Sequence, residues 1–499
     1  MSRAFCLLFF LPACAATDQP SSVDSGAPDV PTARLSVEQG RLIDSSGRTV
    51  LLRGVNARVE GLFDVTFDDG RAALEEIPPF TGQDCAFLAE ELGLNLLRLP
   101  VNWSGIEPEP DDWDAAYLSH IGRLVDDCDD AGVLTIVDLH QDAYGKDIGE
   151  DGAPLWAIEP PPPALLEGPL TSEELAARRI SPAVIAAFRS LYSNAPLSST
   201  GEGAMDAYAE MAGHLAAFLR DHPGAVALEL QNEPVPLGDQ AGLDAFHDAV
   251  TTAVRAAHPT LPVVFEPDAI RNITDAAPVE APFPFDNAIY GPHIYTDVFE
   301  DGWASEDVGA IRDSVAAADQ EARDHGAHLF IGEFGNDPRT ERGALYIDTC
   351  LAAFDQYQAS WAVWLYEEHS QGSWGLWDEG SVAHTRGALR EMAADQLARP
   401  FPMALAGEAA ATIWDPEPRV LTIRLSASTD GNHVVSAPRR TWPTGVQVTC
   451  NGRVVSDIER GPGRIAFACA GDVFAVGPAE STSATAPGAR SESAHHAGW

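Results

Sequence analysis

Short apolar runs rich in β-branched residues recur from residue 50 onward, each followed by a stretch of helical spacing. The runs Val50–Ala57, Leu94–Val101, Val133–His140, Val226–Glu233, Pro262–Glu266, Ala288–Tyr295, His328–Phe334 and Trp361–Tyr366 read as buried parallel strands, which are apolar on both faces. Helical patterns lie between most of them, at Cys85–Leu92, Tyr117–Ala131, Met205–Arg220, Leu243–Ala257, Val308–Asp324 and Ala344–Tyr357. Eight such units predict an α/β fold, a (β/α)8 TIM barrel. A doubly wound sheet is the competitor, but no glycine-rich nucleotide turn follows the first strand.

The flanks follow other patterns. Leu35–Thr49 reads as a hairpin turning at Ser45-Ser46-Gly47, placed to plug the barrel's bottom. After Met403 come short alternating runs (Thr412–Trp414, Val420–Leu425, Gly445–Cys450, Arg464–Phe467), which predict a small antiparallel β-sandwich. The expected plan is a signal segment over 1–16, a flexible linker over 17–33, the barrel over 34–400, the C-terminal sandwich over 401–476 and a disordered tail over 477–499. One connection, from Asp142 to about Gly203, is unusually long. Trp156, Phe188 and Tyr192 within it favour a folded lid.

Charge narrows the partners. With 75 Asp and Glu against 31 Lys and Arg in 499 residues, the chain lacks the basic footprint that nucleic acid or anionic membranes require. The acidic excess reads as a solvated surface. Met1-Ser2-Arg3 followed by the apolar run Ala4–Ala13 resembles an export signal, too short to span a bilayer. Leu11-Pro12-Ala13-Cys14 resembles a lipobox, in which Cys14 is lipidated and tethers the protein to a membrane; ordinary cleavage just after Cys14 is the other reading. Both place the protein outside the cytoplasm, as a secreted, periplasmic or outer-surface protein. Of the five cysteines beyond the signal, Cys450 with Cys469 are the best-placed pair and Cys85 with Cys128 a second. No spacing suggests zinc, so no metal site is assigned. A surface calcium ion stays compatible with the abundant carboxylates, and the oligomeric state is not legible.

Polar clusters close several of the apolar strands: Asp138-Leu139-His140-Gln141-Asp142, Gln231-Asn232-Glu233-Pro234, His293-Ile294-Tyr295 and Gly332-Glu333-Phe334-Gly335. A carboxylate ending a buried strand costs desolvation free energy, and repetition of that cost at facing strand ends points to a site. Glycosidic hydrolysis needs two carboxyl groups, one to protonate the leaving oxygen and one to attack the anomeric carbon. Glu233 and Glu333 fit that pair.

Asn232-Glu233-Pro234 after the fourth strand and Gly332-Glu333-Phe334 after the seventh resemble glycoside hydrolase family 5, over roughly residues 50 to 395. The resemblance implies that Glu233 is acid/base and Glu333 nucleophile, with no metal or organic cofactor. It implies that Arg98 orients Glu333, that Asn232 binds the sugar 2-hydroxyl, that Tyr295 donates to Glu333, and that His140 and His293 complete the set. Trp364 matches the aromatic platform of the eighth strand, with Tyr366 as the alternative. Leu51-Leu52-Arg53-Gly54-Val55-Asn56, Arg98 to Pro108, and Asp138 to Asp142 followed by Asp151-Gly152-Ala153-Pro154-Leu155-Trp156 are most similar to the endoglycoceramidase branch. There Asp142 and Trp156 line the sugar site. Branch members carry a lysine near residue 58, where this chain has Arg58, either its substitute or a departure.

The resemblance implies a glycolipid or other β-glycoside substrate. Leu155–Ile158 and Val184–Phe188 either wall an apolar groove for the lipid or pack the lid onto the barrel. Three competing functions remain: a polysaccharide endoglucanase or mannanase, a glucosyl- or galactosylceramidase acting on simple glycolipids, and a non-catalytic sugar binder, disfavoured because both glutamates are present. Trp414 and Trp442 are equally compatible with a sandwich core and with an exposed binding face.

Overall fold

The computed structural model describes residues 34–296, 298, 308–368, 374–380, 382 and 385–479. The expected signal segment, Cys14, the linker, and the tail beyond residue 479 lie outside the described residues.

Eight parallel strands close into a barrel: β1 (Arg53–Asn56), β2 (Leu96–Val101), β3 (Leu134–Leu139), β4 (Ala225–Glu229), β5 (Val263–Phe265), β6 (Ala288–Tyr290), β7 (His328–Ile331) and β8 (Ser360–Val363). Every expected strand is present, but most are shorter at the C-terminal end. The ladder of β4 stops at Glu229, so Glu233 stands on the loop beyond it, at φ 41°. Barrel strands are buried on both faces, which is why their sequences carry no alternation.

The lower end of the barrel is closed as the hairpin reading expected, by a larger structure than one hairpin. Leu35–Glu38 turns through Gln39 and Gly40, both at positive φ, into Arg41–Asp44, and the Ser45–Gly47 turn leads on to Thr49–Val50. This meander continues a seven-stranded sheet with Pro402–Leu405, Asn432–Ser436, Arg464–Ala468 and Glu459–Gly461. The domain boundary at residue 34 is therefore corrected: residues 35–50 pair with the C-terminal unit, because the Thr49–Val50 edge meets Ala404 and Leu405. Leu42, Val50, Phe401 and Met403 pack with Leu96, Ile136, Val264 and Phe330 from the barrel's base in one core.

A five-stranded sheet (Gly407–Asp415, Val420–Ser428, Val473–Pro478, Val446–Cys450, Arg453–Val454) completes the sandwich. Its last strand runs to Pro478, two residues beyond the expected boundary at 476. Trp442 is buried between the sheets and meets Trp414 edge-on, so both belong to its packing. Cys85–Cys128 ties helix Gly82–Glu90 to helix Ala115–Ala131, Cys450–Cys469 closes within the sandwich, and Cys350 is free and buried. Among the described residues no helix is long and apolar enough to cross a membrane.

The long connection after β3 is folded. It holds a short turn at Leu155–Ala157 and helices Ser172–Arg178 and Pro182–Tyr192. Thr171 and Glu174 cap the first helix reciprocally, and Ser181 with Pro182 starts the second. Ala157, Ile158, Val184, Ala187 and Phe188 are buried against the barrel, whereas Leu155, Leu165 and Ile180 face solvent. Most of the apolar positions considered for a lipid wall thus hold the lid down.

Candidate active site

Arg98 organises the upper mouth of the barrel. It sits on β2, fully buried, and its guanidinium is saturated. Nε and Nη2 donate to the two oxygens of Glu229 at 2.8 and 2.9 Å, and Nη1 donates to Asn56 Oδ1 at 2.8 Å and to Glu333 Oε1 at 2.7 Å. Nη2 also reaches Asn232 Oδ1 at 2.8 Å and Asp138 Oδ2 at 3.0 Å. A buried cation persists only when paired this fully. Burial works against the charge, but Asp138, Glu229 and Glu333 outweigh it and hold Arg98 protonated.

Glu333 follows β7. Its Oε1 takes Arg98, and its Oε2 takes the Tyr295 hydroxyl at 2.8 Å. Gly332 before it is required by space, because a Cβ there would stand 2.8 Å from His293 Nε2. Burial pushes the Glu333 carboxyl above its ordinary range, and His293 and Arg98 offset this only in part.

Glu233 faces it. Oε1 lies 3.0 Å from His293 Nδ1 and accepts from Asn272 Nδ2 at 3.2 Å. The same imidazole nitrogen is 3.5 Å from Glu333 Oε2. One oxygen from each glutamate and the His293 nitrogen fall within 4.8 Å of one another. Burial raises the Glu233 carboxyl, but the His293 contact prevails, with Arg179 adding to it, and leaves Glu233 below its ordinary range. Gln141 fixes the backbone here by donating to the carbonyls of Asn232 at 2.8 Å and Glu233 at 3.0 Å, which supports the left-handed conformation at Glu233.

His140 Nδ1 lies 2.5 Å from Asp138 Oδ2, and Nε2 lies 3.7 Å from Asp142 Oδ2 and 3.5 Å from Asn232 Nδ2. Burial disfavours its charge, but Asp138 and Asp142 hold it well above the ordinary imidazole range. Trp364, half-buried, lies parallel to the His140 ring at 5.7 Å. Tyr366 is buried and donates to Asp84, so Trp364 is the aromatic beside the cluster. Asp142 accepts an ion pair from Arg179 Nη2 at 2.8 Å.

Two expected site residues are engaged by other parts of the protein. Trp156 meets Trp103 edge-on at 5.4 Å, and its Nε1 donates to the Glu107 carbonyl, because the Leu155–Ala157 turn is packed into the lid's root. Arg58 is buried and spoken for: Nη1 donates to Glu75 Oε1 at 2.8 Å and Nη2 lies 3.7 Å from Glu368 Oε1. It also lowers the Asp142 carboxyl through its charge, so it borders the cluster from the Glu75 side.

Other members went unrecognised in the sequence. Glu229 and Glu266 are wholly buried carboxylates. Burial and the neighbouring Glu229 push Glu266 far up, while burial of Glu229 is overcome by Arg98, which keeps it ionised. A carboxylate within an apolar strand was the available signal. Asn272, in the short helix Arg271–Thr274 after β5, and Arg179, in the turn that follows helix Ser172–Arg178, gave none, since the placement of both is decided by packing. His140, Asp142 and Asp151 also bring ligand atoms within 4.8 Å of one another. The Asp151 oxygens there accept from Asn102 Nδ2 and from the Asp142 amide, tying the lid's root to the barrel.

A closed (β/α)8 barrel with two facing glutamates at its strand ends, one held by an arginine and a tyrosine, defines a barrel glycoside hydrolase. The family model described as cellulase (glycosyl hydrolase family 5) matches residues 43–370, and the chain belongs to that family. Endoglycoceramidase I of Rhodococcus hoagii (strain 103S) is 29% identical over 286 residues, covering 54% of this chain and 54% of that protein, so the match spans about half the relative's length. Among solved structures, endo-glycoceramidase II from Rhodococcus sp. in its five-membered iminocyclitol complex has a TM-score of 0.72 at 24% identity, covering 88% of this chain and 99% of that one. An endogalactoceramidase crystal structure has a TM-score of 0.72 at 26% identity, covering 89% and 100%.

Proposed function

We propose that the protein hydrolyses the β-glycosidic bond between glycan and ceramide in glycosphingolipids, with retention of configuration, using Glu333 as nucleophile and Glu233 as acid/base. The observation that carries this reading is the approach of one oxygen from each carboxylate to within 4.8 Å beside His293, which fits the spacing of about 5–5.5 Å in retaining enzymes better than the roughly 6.5–9.5 Å that inverting enzymes use to seat a water with the sugar. The lipid substrate is supported by the names of the similar proteins and by the His140-Gln141-Asp142 segment with its folded lid.

In the first step Glu333 Oε2 or Oε1 attacks the anomeric carbon, while the proton on Glu233 passes to the glycosidic oxygen and ceramide departs as an alcohol. In the second, Glu233 takes a proton from water, the water oxygen bonds to the anomeric carbon, and Glu333 leaves. Arg98 and the Tyr295 hydroxyl aim Glu333 throughout. Asn232 Nδ2 and His140 supply donors where the sugar hydroxyls lie, and Trp364 offers a stacking face.

Export is part of the proposal, supported by the Met1–Ala16 segment and two disulfides. The test incubates purified protein with ganglioside, galactosylceramide, glucosylceramide and carboxymethyl-cellulose in mild detergent, with Glu333→Gln as control. Intact oligosaccharide plus ceramide supports the proposal. Monosaccharide released only from the simple lipids moves the assignment to a glucosyl- or galactosylceramidase. Cellulose breakdown without lipid products sinks the glycolipid assignment.

A further inference from the structure

The lid places one cation over the acid/base. Arg179 follows helix Ser172–Arg178, which is pinned by its reciprocal cap and by buried Leu175, while the next residue, Ile180, is 77% exposed. The half-exposed Arg179 side chain turns inward. Nη2 lies 2.8 Å from Asp142 Oδ1 and 3.8 Å from Glu150 Oε2, and Nη1 lies 3.9 Å from Glu233 Oε2. The division of labour on Glu233 gives this meaning. His293 and Asn272 both address Oε1, so Oε2 is the oxygen left to hand a proton to a leaving group, and it is the one facing the guanidinium.

We infer that Arg179 is a positioning residue for Glu233: it holds the acid/base carboxylate aimed before substrate enters, and the glycosidic oxygen then takes its place over Oε2, releasing Glu233 to carry a proton. The inference rests on the assignment of Glu233 as acid/base.

The other groups facing Glu233 are His293 after β6, Glu333 after β7, Asp142 after β3, Glu266 after β5 and the Tyr295 hydroxyl. His293 is buried and shared between both glutamates, whereas Arg179 rides on the lid and is half exposed. These surroundings put Glu233 below and Glu333 above the usual range, the reverse of what the first step uses. A lid cation that withdraws from Oε2 moves that balance in the productive direction. Asp142 and Glu150 remain to receive it, so it need not leave the cleft.

The test is the pH dependence of kcat/KM for Arg179→Gln and Arg179→Lys on a glycolipid and on a dinitrophenyl β-glycoside, whose departure needs no acid. At the alkaline end the glycolipid rate is limited by scarce protonated Glu233; at the acid end it is limited by scarce ionised Glu333. Comparing the two ends removes any uniform loss of binding. A unit charge at this distance, screened as by water, shifts a carboxyl by about 0.8 pH unit. Arg179→Gln is therefore expected to raise the alkaline-to-acid ratio for glycolipid about sixfold, by the same Coulomb estimate. Arg179→Lys is expected to hold that ratio, and the aryl glycoside to keep its alkaline rate. An unmoved ratio in Arg179→Gln, or an equal move in both variants, overturns the inference and leaves Arg179 a lid anchor. Full glycolipid activity in Glu233→Gln would overturn the acid/base assignment and this inference with it.

Discussion

Tyr295→Phe isolates one hydrogen bond on the nucleophile. The hydroxyl donates to Glu333 Oε2 at 2.8 Å, and the ring also packs near Trp374. Phenylalanine keeps the ring and removes only the donor. A hydrogen bond to an ionised group contributes about 1.5–3 kcal/mol. His293 Nδ1 stands 3.5 Å from the same oxygen and can tighten in compensation, so the low end, ~1.5 kcal/mol, is the working figure. Because the bond favours the ionised carboxylate, its loss raises the Glu333 pKa by about one unit. The sign follows. At the acid end, where ionised Glu333 is scarce, kcat/KM falls about tenfold, and at the alkaline end it stays close to wild type. The assay is release of ceramide from a fluorescent glycolipid between acid and alkaline limits, with thermal melting to confirm the fold. Equal losses at both ends would refute the reasoning and reduce Tyr295 to a packing residue.

Three further outcomes are expected. Glu233→Gln lowers kcat/KM on glycolipid by about 10²–10⁴-fold while sparing kcat/KM on an aryl glycoside with a good leaving group, whose first step needs no acid, measured by steady-state kinetics. Arg98→Met leaves Asp138, Glu229 and Glu333 buried around a lost charge and destabilises the fold by about 3–5 kcal/mol, measured by urea unfolding. Glu266 titrates far above its unfolded value because of burial beside Glu229, so it binds its proton more tightly when folded. Its contribution is present below the unfolded carboxyl pKa and is lost as pH rises toward the folded one. Glu266→Gln, which keeps a neutral side chain, should flatten the decline in unfolding free energy from weakly acid to alkaline pH. A decline as steep as wild type would place the proton elsewhere.

The barrel was legible because its strands are buried on both faces and its helices on one, a period that survives without any knowledge of contacts. The two glutamates were legible for a related reason. Ionisable residues that end apolar strands incur a desolvation cost, and Glu233 and Glu333 do so on strands that a barrel brings to one face. His140, Asn232, His293 and Tyr295 stood in the same polar clusters, while Arg98 was marked by the family resemblance. What the chain alone left open was whatever depends on partners distant in sequence. Arg58 stood near the strand end like a sugar ligand, yet Glu75 and Glu368 claim its charge. Trp156 was drawn into packing with Trp103. Residues 35–50 were assigned to the barrel until their edge hydrogen bonds joined them to strands some 350 positions later, Leu405 with Thr49. The lid's Arg179, in a segment with no strand to register it, reached Glu233 only through tertiary folding. Periodicity records which side chains are buried, a local property written in the order of residues. Which charges meet is set by the three-dimensional closure of the barrel and the docking of its loops, and only the tertiary structure decides it.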